Sequence, residues 1–241
     1  KIAEKNKVNL EFEAAVCGGV PIIRSLKEGL IANKISKIYG IFNGTSNYIL
    51  SSMDKQNKSF EEVLGKAKKL GYAEANPSAD LNGDDVAAKL KILSSLCFNS
   101  FLNHNIYVEG IKEIDKNDID NANKLGYKIK LLGYAELINK KIYQRVHPTL
   151  IKKSSYVASI DGVLNAVIVD GKPVGRSTIQ GEGAGPSATT SALVSDISSI
   201  LRGNIKFPFS LSAKERKKLK FSKITNRLFS AYLRFEVLDM P

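Results

Sequence analysis

Two candidate β-hairpins in the second half of the chain constrain its fold most strongly. Residues 128–137 (KIKLLGYAEL) and 141–150 (KIYQRVHPTL) are rich in β-branched and aromatic residues, and only a short polar turn separates them. Residues 163–180 contain a second pair, VLNAVIV and VGRSTIQ, with a turn predicted in the DGKP sequence that begins at Asp170. Two such hairpins predict a substantial sheet, and a sheet of this size needs helices or a second sheet to cover an apolar face.

The first half of the chain supplies the predicted helices. Apolar residues recur at helical spacing there, and Ser59 with Glu62 has the spacing of a capping box. The predicted helices are 22–33, 43–53, 59–71, 83–98, 117–126 and 187–201, and further strands are predicted at 8–16, 35–42 and 105–111. The predicted fold class is therefore α+β, in the broad α/β class of enzymes, with a mixed β-sheet covered by helices.

Length and composition indicate a globular protein. A chain of 241 residues with 43% hydrophobic residues can build one large domain or two modest ones. It has no apolar run near the ~18 to 20 residues that a membrane span needs, and its first residues lack the pattern of a signal peptide. Cys17 and Cys97 lie 80 positions apart without a metal-ligand pattern. We therefore expect reduced cysteines, a cytoplasmic location and no membrane partner.

The net charge of +12 raises the possibility of an acidic partner. The basic run AKERKKLKFSK (213–223) is the best candidate for contact with nucleic acid. Lysines elsewhere are scattered through helices and hairpins opposite apolar faces, and no zinc finger or aromatic stacking platform accompanies them. The sequence favours a solvated basic surface, with no nucleic-acid partner.

The segment 71–93, GYAEANPSADLNGDDVAAKLKIL, places several acids ahead of a helix that carries a lysine one turn in. Acids at a helix start are favoured by the macrodipole and by unpaired N–H groups, so capping alone can explain them. Lys89 is different, because its neighbours at helical spacing, Val86, Ile92 and Leu93, are apolar. An Asp85–Lys89 pair is commonly a surface salt bridge, but it can also donate a proton to a substrate carbonyl.

Three other stretches have both a structural and a functional interpretation. The turn at 43–45 (NGT) is either a capped helix start or an anion site. The glycine loop at 181–185 (GEGAG) is either a simple turn or a place where a cofactor approaches the backbone. The stretch 13–21 (EAAVCGGVP) is either a structural turn or a source of carbonyl oxygens for a hard cation. His147 is uninformative by itself.

Taken in order, these stretches resemble homoserine dehydrogenase, the NAD(P)-dependent enzyme of the aspartate pathway to threonine and methionine. The matching segments lie within about residues 8–203, and they are EAAVCGGVPII, GIFNGTSNYIL, AKKLGYAEANPSADLNGDDVAAKL and GEGAGPSATTSALVSDI. The third is the most specific, because its tyrosine, its glutamate, the DLNG turn and the aspartate–lysine pair all have the family's spacing. The resemblance implies interconversion of L-homoserine and L-aspartate 4-semialdehyde by hydride transfer with NADP or NAD.

The resemblance also implies roles for individual residues. The catalytic pair would be Lys89, as the proton donor, and Asp85, which supports it. The substrate-binding residues would be Glu74, Asp80, Tyr72, Gly44, Thr45 and His147. The cofactor-binding residues would be Gly183, Gly185 and Asn43. A sodium site, built largely from backbone carbonyls, would use Glu13, Val16, Gly18 and Val20.

The domain organisation implied by the resemblance is that of a fragment from which most of the N-terminal Rossmann domain is absent. The expected parts are a last stub of the Rossmann domain (1–20), a substrate-binding and dimerisation domain (21–180), a glycine loop and helix returning to the cofactor domain (181–203), a linker (204–225) and the truncated start of an ACT-like regulatory domain (226–241). We expect a homodimer or homotetramer, and little activity from these 241 residues alone.

Two alternatives remain at this stage. The first is another NAD(P)-dependent reductase that acts on a small semialdehyde or amino acid. The second is a non-catalytic binding protein that uses its basic surface.

Overall fold

The computed structural model describes residues 2–101, 104–203, 207–235 and 237. Within them the chain forms a mixed sheet of seven strands in the order β2-β4-β3-β1-β5-β6, with β7 beside β4. The strands are β1 (Lys34–Ile41), β2 (Tyr107–Val108), β3 (Tyr127–Ile138), β4 (Lys141–Lys152), β5 (Leu164–Lys172), β6 (Gly175–Glu182) and β7 (Lys220–Ser222). The predicted α+β class with a mixed sheet is confirmed.

The helices include each one predicted from apolar spacing. They are α1 (Ile2–Asn6), α2 (Ile22–Arg24), α3 (Gly44–Gln56), α4 (Phe60–Lys69), α5 (Ser78–Asn82), α6 (Asp84–Cys97), α7 (Lys116–Lys124) and α8 (Pro186–Leu201). A turn of π-helix, Ser25–Gly29, extends α2, and 3-10 helices span Glu13–Ala15, Tyr156–Ser159 and Ile224–Asn226. The predicted capping box forms, because Ser59 accepts from Glu62 N and Glu62 accepts from Ser59 N.

Both predicted hairpins form, and the position of one turn differs from the prediction. Between β3 and β4 the turn residues Asn139 and Lys140 have φ of 48° and 61°, which suits the twist of a two-residue hairpin. In the β5–β6 hairpin Asp170 is still in the ladder, opposite Arg176, and the turn falls at Pro173 and Val174. Arg176 forms two hydrogen bonds with Asp170, and these favour extension of the ladder by this pair.

The core that positions the candidate site lies between α6 and the sheet. Val86, Leu90 and Leu93 of α6 are each 0% exposed, as their spacing predicts. At Gly133 of β3, a Cβ would lie 2.6 Å from the Phe42 ring and 3.1 Å from a Val86 methyl. The absence of a side chain at this position therefore leaves room against β3 for the Phe42 ring, which follows β1, and for Val86 of α6.

The strand predicted at 8–16 is wrong. This segment is irregular and ends in a 3-10 helix, with Val8 54% and Leu10 51% exposed. Glu13 is buried instead, because its carboxylate accepts from the backbone N–H groups of Ile23 and Arg24 at the start of α2. No described strand pairs with this segment, so the alternation of residue types does not produce a strand.

Two other predicted boundaries shift. The loop expected before α6 contains the short helix α5, and Gly83 with φ +86° turns the chain from α5 into α6. The strand expected at 105–111 is reduced to Tyr107–Val108, parallel to β4.

The predicted linker packs on the domain in its described part. The Phe209 ring packs against the Phe12 ring in a tilted arrangement, with 5.4 Å between ring centroids, and buried Arg216 pairs with Glu4 at 3.1 Å. Strand β7 then pairs with β4. The strand expected in the tail from Tyr232 does not form within 228–235, and Glu236 lies outside the described residues. Among the helices described here, none is long and apolar enough to cross a membrane.

Candidate active site

The site begins at the junction of β1 and α3. Asn43 has an extended backbone, and its Oδ1 accepts from Ser46 N at 2.8 Å, so it caps α3. At Gly44 a Cβ would lie 2.8 Å from the carbonyl oxygen of Val163. The NGT turn is therefore a capped helix start, as one of its two interpretations predicted, and it also orients the Asn43 side chain.

The amide nitrogen of Asn43 joins two carboxylates. It donates to Asp80 Oδ1 at 2.7 Å and to Asp85 Oδ2 at 2.9 Å. Asp80 comes from α5 and Asp85 from the first turn of α6, so the α5–α6 turn brings both acids to the helix cap. Three predicted site residues thus form one hydrogen-bonded group.

Lys89 completes this group. Its Nζ lies 2.7 Å from Asp85 Oδ2 and donates to the carbonyl oxygen of Phe42 at 2.9 Å. The side chains of Lys89 and Asp85 are 18% and 28% exposed, so the pair is sheltered but reachable from solvent. An ammonium has three N–H donors, and the described residues engage two of them. The third is available to a ligand.

A more exposed group lies beside it. Thr45 Oγ1 donates to the backbone carbonyl of Tyr72 at 2.6 Å, and the Tyr72 ring meets Tyr48 edge-on at 5.0 Å. Glu74 is exposed, and the described part of the chain gives it no hydrogen bond or ion pair. Its carboxylate is free to bind a cationic group.

The stretch 13–21 and the glycine loop 181–185 contact each other. Gly19 N donates to the carbonyl of Glu182 at 2.9 Å, and a Cβ on Gly18 would lie 3.2 Å from the carbonyl oxygen of Gly183. Gly185 has φ 111°, a conformation that favours glycine, immediately before α8. The predicted cofactor loop and the predicted cation stretch are therefore neighbours.

Cys17 and Asn165, which sequence reasoning did not assign to the site, join the glycine stretches to Lys89. The Cys17 thiol accepts from Asn165 Nδ2 at 3.2 Å and lies 3.9 Å from the Phe42 carbonyl oxygen that Lys89 also contacts. Burial raises the pKa of the Cys17 thiol to about 11, against the opposing effects of Asn165 and Lys89, so the thiol is neutral at pH 7. A lone asparagine in the apolar run VLNAVIV was the available signal.

The predicted sodium residues have mixed surroundings. Val16 and Val20 are fully buried. The Glu13 carboxylate is engaged by two backbone N–H groups, and its pKa is raised, chiefly by burial. The described residues contain no cluster of three His, Cys, Asp or Glu that could hold a metal. A sodium ion here would depend on backbone carbonyls, and the site stays a prediction.

His147 does not join the group around Lys89. Val146, its neighbour in β4, pairs with Gly133, whose Cα faces Val86 of α6. His147 pairs with Leu132, and because side chains alternate along a strand it points to the other face of the sheet. Its Nδ1 lies 2.7 Å from the carbonyl oxygen of Pro148, and burial lowers its pKa. His147 therefore lies apart from the Lys89 group within this chain, and the substrate role that the resemblance implies for it stays a prediction.

Comparisons with known proteins agree with this arrangement. The sequence model of the homoserine dehydrogenase family matches residues 21–198. Homoserine dehydrogenase of Neisseria gonorrhoeae is 50% identical over 202 residues, which are 83% of this chain and 46% of that protein. The crystal structure of a homoserine dehydrogenase from Thiobacillus denitrificans superposes with a TM-score of 0.83 at 43% identity, covering 88% of this chain and 51% of that one.

A hyperthermophilic archaeal homoserine dehydrogenase mutant, solved in complex with NADPH, matches with a TM-score of 0.72 at 26% identity, covering 86% of this chain and 60% of that one. The chain spans about half the length of the curated relatives it matches. The match over residues 21–198 includes α3, α5 and α6, which carry the group around Lys89. The chain belongs to the homoserine dehydrogenase family.

Proposed function

We propose that the complete protein interconverts L-homoserine and L-aspartate 4-semialdehyde with NADP or NAD. The observation that carries the proposal is the hydrogen-bonded group of Lys89, Asp85, Asn43 and Asp80 in a member of this family. It combines an ammonium that has a free donor with carboxylates held in a fixed geometry. Lys89 thus offers a carbonyl substrate a proton donor, and the carboxylates offer a negative charge to a cationic group of that substrate.

Lys89 is the proposed acid in the direction of reduction. As the aldehyde carbon is reduced, negative charge develops on the carbonyl oxygen, and the Lys89 ammonium stabilises that charge and supplies a proton. Asp85, at 2.7 Å from Lys89 Nζ, holds the ammonium in position. In the direction of oxidation, the same lysine accepts the hydroxyl proton.

The carboxylates are the proposed binding partners of the substrate ammonium. Glu74 is exposed and has no partner among the described residues, so it can bind this group without breaking an existing contact. Asp80 is fixed by Asn43 at 2.7 Å. Tyr72, Thr45 and Gly44 border the same space and would orient the substrate's carbon chain.

The nicotinamide cofactor, when bound, supplies or accepts the hydride. The residues present would fit a ligand near the backbone, because Gly185 has no side chain and no described atom lies within 4 Å of its Cβ position. We propose that Gly183, Gly185 and Asn43 border the nicotinamide. Their contribution is to orient it against the substrate and to exclude water.

Two further features belong to the same proposal. Backbone carbonyls near Val16, Gly18 and Val20, together with Glu13, hold a sodium ion. The active protein is a homodimer or homotetramer, which light scattering after size-exclusion chromatography will test. Activity measured in sodium chloride and in choline chloride at equal ionic strength will test the ion, because a structural sodium ion predicts lower activity or thermal stability in choline.

The decisive experiment is steady-state turnover by the protein produced from its complete reading frame. L-homoserine with NADP or NAD should give NADPH or NADH, detected at its absorbance, and the reverse reaction should consume aspartate 4-semialdehyde. Turnover of a different small semialdehyde, with none of homoserine, would assign another reductase activity. Salt-sensitive nucleic-acid binding without any dehydrogenase activity would replace the proposal with a binding function.

A further inference from the structure

Asn165 is an unusual residue for its position. It is the second residue of β5, it is 1% exposed, and its neighbours along the strand are apolar. Its Nδ2 makes one hydrogen bond among the described residues, to the sulfur of Cys17, which is a weak acceptor. Its Oδ1 is buried and has no hydrogen-bond partner among the described residues. A buried amide satisfied this poorly lowers stability, so its presence needs another explanation.

The amide of Asn165 fills the space beneath the glycine loop. Asn165 is in register with Gly181 of β6, two residues before Gly183. A Cβ on Gly183 would lie 2.2 Å from Asn165 Cγ and Oδ1 and 2.4 Å from Nδ2. The loop can therefore adopt this path only because position 183 has no side chain and position 165 has a short flat one.

The same amide is linked to the proton donor by three successive contacts. Cys17, held at 3.2 Å from Asn165 Nδ2, has a left-handed backbone with φ 53°, which a non-glycine residue adopts at a conformational cost. Its sulfur is 3.9 Å from the Phe42 carbonyl oxygen, and that oxygen accepts from Lys89 Nζ at 2.9 Å. Asn165 thus contacts both the glycine loop and Cys17. The Cys17 sulfur in turn lies beside the Phe42 carbonyl oxygen that accepts from Lys89.

We propose that Asn165 is a positioning residue, which fixes the glycine loop and, through Cys17 and the Phe42 carbonyl, the Lys89 ammonium in one relative geometry. The inference rests on the proposed dehydrogenase function and adds a residue that links the cofactor side of the site to the acid. Asn165 itself touches no reacting atom. It acts by restricting the positions of groups that do, and small displacements of such groups reduce turnover.

The first test compares two buried amides in the complete protein. Gln144 is also buried, also has an unpartnered amide oxygen and makes one hydrogen bond, to Ser94. We expect Asn165→Ala to lower kcat roughly tenfold to a hundredfold, which is the range for misplaced catalytic groups. The KM for homoserine should change less than about twofold, because Glu74 and Tyr72 are untouched. Gln144→Ala should lower thermal stability without changing kcat.

A second comparison separates positioning from simple space filling. Gly183→Ala alone should weaken NADPH binding, measured by the fluorescence of bound NADPH, because its methyl group meets Asn165. In the double variant with Asn165→Ala that methyl group has room, so the melting temperature and NADPH affinity should recover towards wild type while kcat stays low. Recovery of kcat as well would overturn the proposal, and so would an Asn165→Ala kcat equal to that of Gln144→Ala.

A third pair covers the case in which Asn165→Ala does not fold. Cys17→Ala removes the link to Phe42, whereas Cys97→Ala removes a buried thiol that no hydrogen bond between described residues ties to this site. A lower kcat for Cys17→Ala alone supports the proposal, and equal kcat values for the two variants overturn it. A wild-type protein that binds NADPH but does not turn over homoserine would reject the proposed function instead, so the two failures are distinguishable.

Discussion

The Lys89 ammonium lies 2.7 Å from the Asp85 carboxylate, one helical turn away, in a pair that is sheltered but still open to solvent. Because the pair is partly solvated, its loss should change the free energy of unfolding by no more than about 1 kcal/mol. Loss of a proton donor should reduce kcat by roughly a hundredfold to ten-thousandfold. We therefore expect Lys89→Met to fold normally and to be nearly inactive, measured by circular dichroism and NADPH formation.

Lys91 offers the matched control for this prediction. It lies on the same helix two residues later, and it is only half-buried, with no side-chain hydrogen bond or ion pair among the described residues. Lys91→Met should retain kcat within about twofold, since surface changes away from a site rarely matter. Wild-type turnover by Lys89→Met would remove this lysine from the reaction.

Asn43 is predicted to be intolerant of an acidic replacement. Its Nδ2 separates Asp80 and Asp85, at 2.7 and 2.9 Å, while its Oδ1 caps α3. Asn43→Asp keeps the capping oxygen and puts a third carboxylate between two others. We expect a lower kcat and a lower melting temperature than wild type at pH 7, since three neighbouring carboxylates repel one another.

Asn43→Ser is the informative comparison. Serine is a good N-cap, so the helix should lose less than about 1 kcal/mol. The bridge to the two carboxylates is lost, so kcat should still fall. An Asn43→Asp melting temperature equal to that of wild type would contradict the repulsion argument.

The parts of this fold that were predictable from sequence are those in which the signal is local. Helix α6 was predicted because Val86, Leu90 and Leu93 recur at helical spacing, and all three are buried. The segment 8–16 was mispredicted because its alternation is also local, whereas strand formation requires a partner. The placement of Lys89 on the sheltered side of α6 was predicted in the same way. Its hydrogen bond to the Phe42 carbonyl was not predictable from spacing.

The rest of the site depends on contacts between distant parts of the chain. Cys17 and Asn165 are 148 residues apart in sequence, and they meet because the loop around Gly19 packs on the end of β6, which pairs with β5. His147 also depends on topology. The resemblance implies a place near the substrate for it, and strand alternation in β4 directs its side chain away from α6, so its role stays a prediction. Local patterns indicate which residues are available, and topology determines which of them meet.

A buried ion pair should dominate stability away from the site. Lys130 is 1% exposed and donates to Asp161 Oδ1 at 2.8 Å, to Asn47 Oδ1 at 3.0 Å and to the Ile160 carbonyl at 2.6 Å. Asp161→Asn leaves this buried ammonium without its counter-charge. We expect the free energy of unfolding at pH 7, measured with urea, to fall by about 3 kcal/mol, as for other buried ion pairs that lose one partner.

The same pair predicts a pH dependence. Burial alone would raise the pKa of Asp161, but hydrogen bonds from Lys130 and Lys55 outweigh burial and hold it below its ordinary 3.8. A carboxyl group with a lowered pKa in the folded protein stabilises the fold above its unfolded pKa, and this stabilisation is lost as the pH falls through the folded value. The difference between wild type and Asp161→Asn should therefore shrink below about pH 4.

Asp170 provides the control for Asp161. It pairs with Arg176, which is 59% exposed, and with Lys37. Because this pair is well solvated, Asp170→Asn should cost less than about 1 kcal/mol. Equal losses for the two variants would show that burial of Lys130 does not determine the cost.

Gly44 and Gly65 should respond in opposite ways to alanine. A Cβ on Gly44 would lie 2.8 Å from the Val163 carbonyl oxygen, and backbone atoms cannot move aside without shifting the loop before β5. Gly44→Ala should cost about 1 to 3 kcal/mol and lower kcat, because the same shift displaces Asn43 and Thr45. Gly65 lies within α4, and no described atom is within 4 Å of its Cβ position, so Gly65→Ala should add about 0.5 to 1 kcal/mol without changing kcat. Thermal unfolding and turnover of the two variants test both signs, and a stabilised, fully active Gly44→Ala would mean that the β1–α3 turn is not held against Val163.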